Sequence, residues 1–172
     1  MSVHTFAGEM ERQKEQSARW VEWYSRHFHV VPVPATPEED LAGVDFWADW
    51  PHGRVSIQLK VDFKSDEYHN FFLERRIEDA NGRRPGWCEK LDADEYWFVQ
   101  PEHNHLVFVT RDALAGIYEA AKVRQRLLGP VVNIGPWGRW DAYGYAVKVS
   151  RFISAGEHFE LSEPRPIFSE GR

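Results

Sequence analysis

Three residues stand at a spacing that invites chemistry: Asp45, Gln58 and Lys60. A carboxylate, a carboxamide and an ammonium meeting at one point can hold a hard divalent cation through oxygen and place a proton donor beside it. Hydrolysis of a phosphodiester needs such a set, because charge builds on the phosphoryl oxygens and a water must be activated. Asp45 would be the main ligand. The Gln58 side-chain oxygen or the Leu59 carbonyl would complete the shell, and Lys60 would orient the water or hold a phosphate oxygen.

The segments that must bring them together are readable. From Arg54 to Lys64 apolar and polar residues alternate. Val55, Ile57, Leu59, Val61 and Phe63 point one way and Ser56, Gln58, Lys60 and Asp62 the other, the period of a strand with one face on a core. Residues 44–50 form a preceding strand, with Pro51-His52-Gly53 as the turn of a hairpin. A turn centred on His52 sets Asp45 opposite Leu59 or Lys60, beside Gln58. The competing pair, Asp49 with Asp62, is then about 20 Å apart along the ladder, too far to share an ion.

Other elements follow from period and punctuation. Residues 9–28 read as a helix with Ala18, Val21, Tyr24, Ser25 and Phe28 on its apolar stripe. The proline-rich run 29–37 is an extended connector, and Glu38, Glu39 and Asp40 are expected in solvent. Residues 71–77 read as a strand, 81–86 as a loop, and 87–91 as a short helical turn. The apolar runs 96–99 and 106–109 read as buried strands. Thr110 is placed to cap a helix carrying Leu114, Ile117, Ala121 and Leu128. Residues 129–144, rich in Gly, Pro and Trp, read as a long loop, 145–153 as a late strand, and the tail 163–172 as peripheral. The expectation is one α/β domain over 1–172.

Composition bounds the function. The 172 residues are 42% hydrophobic and 15% aromatic, enough for a packed core, and the net charge of -6 argues against a protein that coats nucleic acid nonspecifically. One cysteine, Cys88, allows no internal disulfide and fits a reducing compartment. No apolar run is long enough to span a bilayer and no leader pattern is visible, so a cytoplasmic protein is expected.

Asp45 followed by Gln58-x-Lys60 on the next strand resembles the PD-(D/E)XK nuclease superfamily, in a Q-x-K variant similar to small phage and bacterial members. The similarity extends over about residues 10–128, with further likeness in Lys60-x-Asp62, Asn70-x-x-x-Glu74, Gly86-Trp87, Lys90 and Ala93-Asp94. The resemblance implies a restriction-endonuclease-like core of α-β-β-β-α-β order, a mixed central sheet flanked by helices. It implies a Mg²⁺- or Mn²⁺-dependent endonuclease acting on DNA. Two departures stand out: Val44 precedes Asp45 where proline is common, and Gln58 replaces an acid, which removes one ligand charge. Many members carry a helical glutamate near the metal; Glu15 is the better candidate by spacing and Glu22 the second. Asp62 and Glu74 are candidates to support the site from behind.

Further residues are candidates for binding. Arg75, Arg76, Arg83 and Arg84 form the densest basic cluster and would grip DNA phosphates. Trp137, Arg139 and Trp140 could stack on bases, with packing favoured for the tryptophans. His27-x-His29 and His103-x-His105 lack a cysteine partner or helical spacing, so a zinc role is disfavoured. With no separate recognition domain expected, specificity would come from loops, a homodimer or a partner protein. The alternative function is a catalytically inactive nuclease-fold protein that binds nucleic acid or protein.

Overall fold

The computed structural model describes residues 6–63, 65–135 and 138–160. In chain order the elements are α1 (Phe6–Phe28), β1 (Val33–Pro34), α2 (Pro37–Leu41), β2 (Phe46–Trp50), β3 (Gly53–Val61), α3 (Ser65–Tyr68), β4 (Asn70–Asp79) and β5 (Gly82–Pro85). A 3₁₀ turn at Trp87–Glu89 follows, then β6 (Glu95–Gln100), β7 (His105–Thr110), α4 (Arg111–Arg124), β8 (Leu128–Gly135), β9 (Gly138–Lys148), α5 (Val149–Ala155) and β10 (Glu157–Glu160). The architecture is α/β, built on a mixed sheet with helices.

Two sheets form. The first runs β1-β2-β3-β6-β7-β10 and the second β5-β4-β9-β8. Only β3 and β6 run parallel in the first sheet; its other neighbours are antiparallel. Helix α1 covers one face of that sheet. Trp20 and Tyr24 bury against Ile57, Trp97, Val99 and Leu106, with Trp23 and Phe28 alongside. The buried stripe therefore centres on Trp20 and Tyr24; Ala18, expected on it, is exposed.

The second sheet, with α4 and α5, covers the other face. Phe71, Leu73, Tyr145 and Val147 from that sheet pack on Tyr96, Phe98, Val107 and Val109, with Leu114, Tyr118 and Phe152 from the helices. The polar face of β3 is consequently a covered face: Ser56 and Gln58 are buried, 3% and 6% exposed. Sandwiched strands bury both sides, which period-2 alternation alone does not reveal.

Three expected loops or strands are different in the structure. Residues 82–85 are not loop but β5, paired with the end of β4. The expected loop 129–144 is mostly hairpin: β8 pairs β9 from Leu128 with Gly144 to Gly135 with Gly138. Its glycines and proline mislead because β8 is an edge strand, which tolerates proline, while Gly144 serves close packing. A Cβ at Gly144 would lie 2.2 Å from the Leu73 carbonyl oxygen. The expected strand 145–153 ends at Lys148, and Val149 and Phe152, one helical turn apart, bury α5. The tail 163–172 and Trp137 lie outside the described residues. Arg139 forms two hydrogen bonds to Asp141, 3.0 and 3.1 Å, and Trp140 is half-buried. No helix among the described residues is long and apolar enough to cross a membrane.

Candidate functional site

The hairpin places Asp45. Trp50 pairs with Gly53 and Phe46 with Ile57, so the turn closes on Pro51 and His52, tighter than a turn centred on His52. Asp45 thus falls next to Gln58 instead of opposite Leu59 or Lys60. Its N–H donates to the Ile57 carbonyl at 2.8 Å, and its own carbonyl accepts from Ala35 at 3.0 Å. Beyond the last paired residues the side chain takes over the ladder: Asp45 Oδ2 accepts from the Leu59 N–H at 2.6 Å. One carboxylate oxygen is thereby fixed on β3. Asp49, from the competing pair, bonds Arg54 at 3.5 Å.

Asp40 is the residue that sequence reasoning missed. Thr36 caps α2 with a reciprocal bond from Glu39, and the Gly43 N–H donates back to the Asp40 carbonyl at 2.9 Å. That capped turn, with Gly43 at φ 97°, returns Asp40 to the neighbourhood of Asp45, whose carboxyl it helps to raise. Thr36-Pro37 with Glu39 three residues after Thr36 is a capping signature legible in the sequence. It would have placed Asp40 on a helical turn leading into β2.

Lys60 lies on β3, its Nζ 5.0 Å from the centre of the Trp87 ring. Burial pulls its ammonium below the ordinary lysine range, opposed by Asp45, Glu74, Cys88 and Asp40. The Asp45 carboxyl is pushed up by burial and by Asp40, against the pull of Lys60 and the Leu59 N–H. Glu74, on β4, is also raised by burial, against a bond from the Trp87 backbone and the charges of Lys60 and Arg84. Burial likewise pushes the Cys88 thiol well up, so it stays protonated and unreactive. Lys60 therefore sits among carboxylates from two sheets.

Asp40, Asp45, Lys60 and Asp62 share the wall of one open cleft of about 700 Å³, closed on other sides by Trp87 and by Gln13 and Ser17 of α1. Asp62 precedes α3, and its carboxylate and carbonyl accept from Ser65 at the start of that helix. Gln58 is not on the cleft wall. A Cβ built on Gly43 would lie 3.2 Å from Gln58 Nε2, so its amide packs behind that turn. Glu15 does not reach the cleft either. It is exposed and off the Gln13–Ser17 face, because two residues along a helix is more than half a turn away. Glu22 is exposed and paired with Arg26.

The arginine cluster forms, at a separate recess of about 420 Å³ lined by Arg75, Arg76, Arg83 and Arg84. A β-bulge between Glu74 and Arg76 lets consecutive arginines join it. Several are engaged: Arg75 with Tyr145 at 3.1 Å and Glu89 at 3.6 Å, Arg76 with Glu78 at 2.9 Å, and Arg84 with Asp79 at 3.4 Å.

The cleft offers oxygen donors, which suits a hard cation. Adjacent Asp40 and Asp45, with the Asp45 carboxyl raised beside its neighbour, are a pair that a divalent cation would relieve of mutual repulsion. Among the described residues the cleft holds no three acidic, histidine or cysteine donors mutually within 4.8 Å, so backbone carbonyls and water would complete the shell. Comparison of the chain with family models, curated proteins and solved structures found no match in any of the three.

Proposed function

We propose that the chain is a Mg²⁺-dependent nuclease of PD-(D/E)XK type that hydrolyses phosphodiester bonds in DNA, with Mn²⁺ able to substitute. One observation carries this reading: Asp45, at the entry to β2, and Lys60, on the adjacent β3, share a single open cleft with Asp40. The packing of α1 on that hairpin and the parallel neighbour β6 support a restriction-endonuclease-like core.

Asp40 and Asp45 would hold the cation, which would supply positive charge against the phosphoryl oxygens and a more acidic water. The Leu59 N–H keeps the Asp45 carboxylate turned toward β3. Lys60 donates to a phosphoryl oxygen or orients the attacking water, and the Trp87 ring holds its ammonium in place. Its depressed pKa lets it give up a proton more readily than an exposed lysine. Glu74 stands behind Lys60, and the arginine recess is the candidate grip on the DNA backbone, in a chain of net charge -6.

The test is incubation of purified protein with plasmid, linear and branched DNA, with and without Mg²⁺ or Mn²⁺. Cleavage that stops in chelator and falls at least about 100-fold in Asp45→Asn and Lys60→Ala is expected. DNA binding without cleavage would instead favour a binding protein on the same fold, a role that Gln58 in place of an acid also fits.

A further inference from the structure

At the opposite edge of the first sheet from β1 and β2, β10 lies antiparallel to β7, with Glu160 across from His105 and His158 across from Val107. Directly opposed and diagonal positions on one sheet face bring side chains together. Here they bring two imidazoles and a carboxylate together, with one donor atom of each mutually within 4.8 Å. We propose that His105, His158 and Glu160 form a Zn²⁺ site that fastens β10 to β7.

The distances suit zinc. Ligands bound at about 2.0–2.1 Å around a tetrahedral centre lie about 3.4 Å from one another. His105 Nε2 and Glu160 Oε1 are 3.4 Å apart, and the third donor lies within 4.8 Å of each. An ion pair between His105 and Glu160 accounts for that one distance but not for His158. Its Nε2 is buried and meets no hydrogen-bond partner among the described residues, an unfavourable state for an imidazole nitrogen. Its ring centre lies 4.7 Å from that of His105. A metal ion is a partner that would take one nitrogen from each imidazole and the carboxylate at once. Nitrogen donors select a borderline transition metal over Mg²⁺ or Ca²⁺, which take all-oxygen sets, so the site is chemically distinct from the Asp40–Asp45 cleft. Three protein ligands leave the fourth position to water.

The pairing is not visible in the sequence because His105 and Glu160 are distant in the chain and meet only through strand register. His103 and His69 extend the row of imidazoles, with ring centres 5.8 Å from His105 and 5.4 Å from His103.

The experiment uses the full chain, stripped with EDTA and titrated with Zn²⁺ alone by calorimetry and with Co²⁺ by visible absorption. One ion per chain is expected, with a rise in Tm of about 5 °C at saturating Zn²⁺. His105→Ala and His158→Ala should each weaken zinc affinity by more than about 100-fold, beyond what loss of an outer-shell partner costs. Should His158→Ala fail to fold, the exposed Glu160→Gln carries the test, with a loss of about tenfold or more. His29→Ala should change nothing. The site is refuted if the folded chain takes up no stoichiometric zinc, or if uptake survives unchanged in both histidine variants. A His105–Glu160 ion pair alone, seen as pH-dependent melting indifferent to zinc, refutes it equally.

Discussion

Asp94→Ala tests how the strand carrying Lys60 is held. Asp94 opens the path into β6, and its Oδ2 accepts from both the Ser56 N–H, at 3.0 Å, and the Ser56 hydroxyl, at 2.7 Å. Ser56 is 3% exposed, so removing the carboxylate orphans two buried donors. Each costs about 1–3 kcal/mol, with the rotatable hydroxyl at the low end. The Arg111 pair at 2.6 Å adds only about 0–1 kcal/mol, because both side chains are close to half exposed. The sum is about 2–5 kcal/mol, or a Tm lowered by roughly 4–20 °C for a chain of this size. Burial raises the Asp94 carboxyl, but the two Ser56 bonds and Arg111 outweigh it and hold it below the ordinary range. A depressed folded-state pKa means the stabilisation is whole above the unfolded carboxylate pKa. It is lost as pH falls through the folded one. Urea unfolding at pH 7, repeated in steps below pH 4, should show the gap to Asp94→Ala closing on acidification. Asp94→Asn should lie between the two, and Arg111→Met near wild type. A cost within about 0.5 kcal/mol at pH 7, or a gap indifferent to acid, refutes the reasoning.

Two further predictions concern the cleft. Asp40→Asn removes a neighbouring charge that raises the Asp45 carboxyl, so Asp45 should ionise at lower pH, read from its carboxyl carbon by NMR titration. Because a raised folded-state pKa loses stability as pH rises through it, Asp40→Asn should also melt higher than wild type at neutral pH; an unmoved titration counts against the contact. Gln58→Glu places a carboxylate at a buried position behind Asp45. It should cost about 1–3 kcal/mol in chelator, and Mg²⁺ should recover part of it through preferential binding to the folded state. Melting curves with EDTA and with Mg²⁺ decide this, and an absent Mg²⁺ response means that a carboxylate at position 58 does not reach a cation in the cleft.

Local signals are legible where one segment carries its own answer. The hairpin, the cap at Thr110, whose hydroxyl accepts from the Ala113 N–H at 3.3 Å, and the strands around Trp97 and Leu106 all announce themselves by period or punctuation. What depends on partners does not. The second sheet is hidden because Gly144 and Pro130 signal a loop in isolation and packing or an edge in context. Spacing alone favours Glu15, whereas helix phase turns Gln13 and Ser17 to the cleft. Asp40 reads as one of three surface acids, although the Thr36 capping box sets its direction.

The covering of β3 on both faces explains why its polar residues differ so much in fate. Ser56 and Gln58 are enclosed and must be held by the fold, the first by Asp94. Lys60, two residues on, reaches the cleft wall beside Trp87. A strand locked at its enclosed end presents the next side chain with little freedom of its own, the condition for a positioned functional group. The same enclosure depresses the Lys60 ammonium and lifts the Asp45 and Glu74 carboxyls. Burial here disfavours charge on every partner, while Lys60 and the carboxyls of Asp45 and Glu74 pull each other back toward ionisation. An added cation would favour ionisation of the Asp45 carboxyl and an added phosphate would favour the charged Lys60 ammonium. Occupancy of this cleft is thus coupled to its protonation by the same layer packing that gives the chain its core.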